Sequence, residues 1–171
     1  MIRSWLIVPV ILLAAPVVSA QRGEAYSPEN GRFTVRFPGK PKESTQKARS
    51  TLGELKVITA TYATSDANVF MVTYTDFPEG AAKAENSGTL FDGVREGLKG
   101  KDGKLQDEKE IKVGRDKFPG RDIVVEKDRK RMKFRVVLRD GRLYQVAVIG
   151  TPSFVTGKDA TAFIESFELT K

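Results

Sequence analysis

Ser44-Thr45-Gln46-Lys47 and Ser65-Asp66-Ala67-Asn68 are the stretches whose residue types and spacing come nearest to bond-breaking chemistry. A serine three residues before a lysine is the arrangement in which penicillin-recognising enzymes activate a nucleophile, and Ser-Asp-Asn is their second motif. That chemistry needs the serine at the start of a helix in a deep site, together with a Lys-Thr-Gly. Ser44 instead sits in a polar, strand-like stretch, and Lys-Thr-Gly does not occur. The carboxylates offer as little. Asp102, Asp107, Glu108 and Glu110 crowd together but lack the Asp-x-Asp-x-Asp-Gly order of a calcium loop. Two carboxylates suffice to hydrolyse a glycoside, yet spacing marks no pair here. No Gly-Lys pair has the upstream glycine or the following Ser/Thr of a phosphate-cradling loop, and Gly-x-Gly-x-x-Gly is absent.

Two zeros narrow the chemistry further. The chain has no histidine and no cysteine. Cys- or His-based nucleophilic triads, soft zinc and copper ligand sets and a histidine pH switch are therefore excluded. Only oxygen ligands remain for a metal. The expectation is a protein without catalytic residues, metal or cofactor, held together by packing rather than disulfides.

Charge gives the best candidate site. The segment Lys127 to Arg142 holds eight Lys/Arg against two Asp, an excess close to the net +7 of the whole chain. Arg129, Lys130 and Arg131 cluster at a turn. Lys133, Arg135, Arg139 and Arg142, with Tyr144, fall on one side of a hairpin. These eight residues are the expected partner-binding set, suited to an acidic protein or an anionic envelope surface. Nucleic acid is a poor fit, since Tyr144 alone offers an interleaved stacking ring.

The elements that must position these residues are mostly strands. Phe33, Val35 and Phe37 alternate with polar residues. Lys42–Arg49 reads as a charged edge strand. Leu55–Thr64 and Val69–Phe77 are β-branched and aromatic, and Lys104–Val113 is a second edge-like strand. Asp140-Gly141 is the strongest hairpin signal. It should set Leu138 opposite Leu143, Val136 opposite Gln145, Phe134 opposite Ala147 and Met132 opposite Ile149, with that face as the core. The other face, carrying Lys133, Arg135, Val137, Arg139, Arg142, Tyr144, Val146 and Val148, is then expected to stay outside it. Phe-Pro at 37–38, 77–78 and 118–119 reads as strands ending where proline cannot donate.

Leu90, Phe91, Val94 and Leu98 fall at helical spacing, with Asn86 or Ser87 as N-cap. Gly93 and Gly97 flank that stripe and are expected to let the helix sit close on the sheet. Ala160, Phe163, Ile164 and Phe167 mark a second helix within 156–167. The sum is an α+β fold: an antiparallel sheet of six to eight strands layered with two short helices, part of one face left wetted.

The amino-terminal end reads as an address. Arg3 precedes an apolar run from Trp5 to Val18, Pro16 interrupts it, and Val18-Ser19-Ala20 places small residues at the exit. This is the layout of a cleavable signal peptide at 1–20, and the run is short of the ~20 residues a spanning helix needs. The expected organisation is a short lead-in at 21–31 and a single α+β domain at 32–171. The mature protein is expected to be exported, periplasmic or extracellular, with no transmembrane helix after cleavage following Ala20.

In order, GRFTVRFPGKPKE, the strand end TYTDFP, the helix LFDGVREGL, FPGRDIVVE, the hairpin KFRVVLRDGRLYQVAVIG and a terminal AFIESFEL resemble the PsbP-like superfamily and its exported bacterial relatives. The likeness spans most of Arg32 to Leu169. It implies an antiparallel sheet layered with helices and a non-enzymatic role, as an accessory subunit of a membrane complex or a small binding protein. The functional expectation is an exported, non-catalytic binding or accessory module of the cell envelope, docking an acidic partner through the basic hairpin face. The alternatives are a carboxylate-based hydrolase of envelope glycans and a purely structural domain.

Overall fold

The computed structural model describes residues 23–50 and 53–171. The signal-peptide reading of residues 1–20 lies outside them. Among the described residues, ten strands form two antiparallel sheets. The first three strands are β1 (Glu24–Tyr26), β2 (Phe33–Phe37) and β3 (Lys42–Ser50), followed by β4 (Gly53–Ala63) and β5 (Val69–Asp76). After helix α1 (Ser87–Lys99) come β6 (Lys104–Val113), β7 (Phe118–Lys127), β8 (Lys130–Arg139) and β9 (Arg142–Gly150). The one-turn α2 (Pro152–Val155), helix α3 (Lys158–Glu165) and β10 (Glu168–Leu169) complete the order. Seven strands make the main sheet, in the order β3-β4-β5-β9-β8-β7-β6, and β1-β2-β10 make a small one. No described helix is long and apolar enough to cross a membrane.

The Asp140-Gly141 hairpin has the register its turn residues demand. Leu138 faces Leu143, Val136 faces Gln145, Phe134 faces Ala147 and Met132 faces Ile149. Both turn residues have positive φ, 50° and 76°, as a two-residue hairpin of matching twist requires. The two charged strands, β3 and β6, lie at the two edges of the main sheet. Phe118-Pro119 opens β7 rather than ending a strand, another place where a missing donor is tolerated.

The expectation that one face of this hairpin stays outside the core is overturned. Phe134, Val136, Leu138, Leu143 and Ala147 do pack with Ile123, Val125 and Phe91 under α1. The opposite face holds the larger core: Val137, Tyr144, Val146 and Val148 are each 0% exposed. They pack with Phe70, Val72 and Tyr74 against β2 and α3, from which Phe33, Val35, Phe37, Phe163 and Ile164 contribute. A strand buried on both faces reads as a continuous apolar run, and Val136-Val137-Leu138 and Val146-Ala147-Val148-Ile149 are such runs. Within the lead-in, β1 pairs with β2, Ala25 facing Arg36.

Helix α1 starts with Asn86 at the N-cap position, without a capping side-chain bond. Its sheet face is pinned by Arg121 of β7, which is 7% exposed and stacks 5.6 Å from the Phe91 ring. Arg121 donates to Asp92 at 2.7 Å and to Glu108 at 2.8 Å. Gly93 and Gly97 take no part in this contact, contrary to the close-packing expectation. A Cβ built on either meets nothing within 4 Å. Gly93→Ala and Gly97→Ala are therefore expected to raise stability, by about 1 kcal/mol each, through helix propensity and a less disordered unfolded chain. Urea denaturation at neutral pH checks it.

On the same α1-side face, β4 and β5 carry threonines that bond to one another and to the backbone. Thr59 and Thr73 there share a hydroxyl–hydroxyl bond of 3.2 Å, and Thr75 donates to the Lys56 carbonyl at 2.8 Å. Thr73 and Thr75 are buried, so these bonds satisfy hydroxyls that have little access to water.

Candidate functional site

Five of the eight expected partner-binding residues contribute to internal bonding. Arg135 makes a two-pronged contact with Asp122, Nε to Oδ1 and Nη2 to Oδ2 both at 2.9 Å, and reaches the Ile164 carbonyl. Arg139 donates to Asp140 and to the Thr170 carbonyl, and lies 5.3 Å over the Phe118 ring. Arg142 grips Asp76 and donates to the carbonyls of Asn30 and Gly31. Tyr144 is fully buried, its hydroxyl donating to the Gly31 carbonyl at 3.0 Å. The structure thus withdraws Arg135, Arg142 and Tyr144 from a solvent-facing surface and ties Arg139 to the C-terminal strand. The cause is the second core: β2, α3 and β10 lie over the face these residues share.

Arg129, Lys130, Arg131 and Lys133 remain together at the far end of the same hairpin. Asp128 and Arg129 make the β7–β8 turn with φ of 52° and 62°. A non-glycine residue in this region costs of the order of 1 kcal/mol, so the arginine at this tip carries a conformational penalty that glycine would not. Arg129 and Lys130 are exposed, and their side chains make no ion pair or hydrogen bond among the described residues. Arg131 faces Glu126 across the ladder and donates to it at 3.1 Å, while its buried Nε has no partner. Lys133 is half-buried and unpaired.

Arg131 and Lys133 open onto a groove of about 540 Å³ between the β6–β7–β8 surface and the edge of α2 and α3. Lys109, Gln106, Thr156 and Thr161 line the rest of it, with Asp107 and Asp122 on the floor. Of these carboxylates, Asp122 is already neutralised by Arg135. Lys109 is the residue that charge counting along the chain missed. It lies on β6, opposite Asp122, and only the folded sheet makes it line the same groove as Lys133, which stands opposite Val124 on the far side of β7. Its place in the alternation of 104–113 was the available signal.

No protein-family model matches the chain, and no curated protein matches it either. The side chains themselves therefore carry the reading. A glycosidase acid needs its proton held up by burial or by a neighbouring carboxylate. Asp76, Asp92 and Glu96 are instead held below the ordinary carboxylate range, by hydrogen bonds from Arg142, Arg121 and Lys99 respectively. Among the described residues no group of three or more acidic side chains is arranged to hold a metal. Ser44 lies in exposed strand β3 and starts no helix, which removes the geometry its Ser-x-x-Lys match requires.

A second hollow, of about 480 Å³, lies where β2 and β4 meet α2 and α3. Tyr62, Phe70, Phe154 and Phe163 form its apolar wall, with Arg36 and Asp159 at its rim.

Proposed function

We propose that the protein is an exported, PsbP-like, non-catalytic accessory module of the cell envelope that docks an acidic partner through the cations around the β7–β8 turn. The docking set is smaller than the charge run suggests: Arg129, Lys130, Arg131 and Lys133, joined by Lys109. One observation carries the reading. Arg135, Arg139 and Arg142 spend their charge on partners within the fold, whereas Arg129, Lys130, Lys133 and Lys109 have no internal counter-ion among the described residues, and Lys133 and Lys109 line one groove together with Arg131. Unpaired cations around a groove attract a polyanion and speed its encounter.

The test is binding of a fluorescently labelled polyglutamate peptide to the mature chain. Lys130→Glu with Lys133→Glu should weaken binding by about tenfold and flatten its salt dependence, since each rim contact is worth about 1 kcal/mol or less. Neither side chain bonds within the fold, so the unfolding midpoint should not move. Unchanged affinity in the folded double variant sinks the proposal.

A further inference from the structure

The two edges of the main sheet are finished differently. β6 is guarded: its ladder is broken by a bulge between Leu105 and Asp107, and Arg95 reaches across from α1 to Glu108 at 3.2 Å. β3 has no such guard. It runs nine residues against β4 with no register shift and no proline, and Lys42 to Arg49 are all exposed. No described strand lies beyond it. Ser50 and Gly53 close the β3–β4 hairpin across two residues, a hydrogen-bonded pair in such a connection. Alternation then turns the backbone N–H and C=O of Glu43, Thr45, Lys47 and Arg49 towards the open edge.

Charge selects what fits there. Lys47 stands directly opposite Lys56, and Arg49 opposite Glu54. Glu54 pairs with Lys47 at 2.8 Å, which leaves Arg49 and Lys56 without an ion pair on the same face. Like charges directly opposite are destabilising, and an acidic neighbour relieves them. A second copy of the chain relieves only part of this charge. Outward residues must face outward residues, so antiparallel pairing of two β3 edges centred on Gln46 sets Glu43 against Arg49 but Thr45 against Lys47, and pairing centred on Thr45 sets Glu43 against Lys47 but Pro41 against Arg49. The other face of β3 offers the uncharged Ser44, Gln46 and Ala48.

We propose that β3 is an edge onto which an extended acidic segment of a partner protein adds as an eighth strand. Its Asp/Glu residues lie beside Lys47, Arg49 and Lys56, and its small polar residues lie beside Ser44 and Gln46. Backbone bonds supply affinity and the alternation supplies specificity. This surface is separate from the β7–β8 turn, at the opposite end of the strand order.

The probe is a capped octapeptide of alternating threonine and glutamate, added to the mature chain while amide exchange is followed residue by residue. Exchange at Glu43, Thr45, Lys47 and Arg49 should slow about tenfold near saturation, with inward amides such as Gln46 unaffected. Thr45→Pro removes one outward donor, a substitution an edge strand tolerates. It should weaken binding by about tenfold, the worth of one hydrogen bond. Should that variant unfold, Lys47→Glu with Arg49→Glu reads the charge preference instead and should reverse it towards a threonine–lysine peptide. The Lys130→Glu, Lys133→Glu variant should leave the β3 protection intact, which separates this site from the turn. Three results overturn the proposal: no slowing at the four outward amides, equal binding of a backbone N-methylated peptide that cannot pair, or self-association through β3 without peptide.

Discussion

Arg142→Ala is expected to lower the unfolding free energy by about 3 kcal/mol. Arg142 is 9% exposed, lies 5.3 Å over the Tyr74 ring, and binds Asp76 through Nε and through Nη2 at 2.7 Å. Its remaining nitrogen donates to the carbonyls of Asn30 and Gly31. It is thus the clamp between the 27–32 loop and the start of β9. Alanine strands one carbonyl, leaves the other to Tyr144 alone and removes the stacked surface, and each of these losses costs about 1 kcal/mol or more. Asp76, whose side chain is 62% exposed, returns to water at little cost. Arg142→Lys should recover less than half, because an ammonium cannot serve two carboxylate oxygens and two carbonyls in one plane.

The same pair sets a pH dependence. Arg142 holds Asp76 below the ordinary carboxylate range. A depressed folded-state pKa gives stability that is fully present above the unfolded value of about 4 and lost as pH falls through the folded one. Wild type should therefore exceed Asp76→Asn at pH 7 and converge on it in acid. Denaturant titrations of both proteins from neutral pH down to about pH 2 read this directly, and curves that stay parallel contradict it.

Phe33→Ala should be costlier still, by about 4 kcal/mol, and should loosen the whole small sheet. Phe33 is 0% exposed. Its ring centroid lies 6.0 Å or less from those of Tyr26, Tyr74, Tyr144 and Phe167, which belong to β1, β5, β9 and the chain before β10. A cavity at that junction has walls on two sheets and cannot close by moving one element. Phe33→Leu, which keeps most of the volume, should cost about half as much or less. Near-ultraviolet circular dichroism should register the loss of the ordered aromatic cluster, and a small change in both measurements would contradict the junction role.

Local pattern was legible where it was unambiguous. The Asp-Gly turn sets a register, charged alternation at Lys42–Arg49 and Lys104–Val113 marks edges, and the Leu90–Leu98 stripe marks a helix. What was not legible depends on contacts distant in sequence. Arg135 looks like a free cation until Asp122 is placed opposite it, and Arg142 until Asp76 and the Asn30 and Gly31 carbonyls close round it. Tyr144 looks like a surface ring until β2 is laid over β9. Gly93 and Gly97 looked like contact residues because spacing alone cannot say which side of a helix meets the sheet. For the candidate site, composition located the basic turn, but subtracting the cations neutralised within the fold required the tertiary structure.

The small sheet has a consequence for how the chain is made. β2 lies between β1, a few residues upstream, and β10, at the far carboxyl end, with Leu169 facing Phe33 and the Thr170 amide bonded to the Arg32 carbonyl. A chain that emerges amino end first can form β1 and β2 early, yet one side of β2 stays open until β10 has been made. Contacts of such long sequence separation form late and slowly. The small sheet therefore closes only once β10 is free to fold back, and until then β2 keeps an open edge.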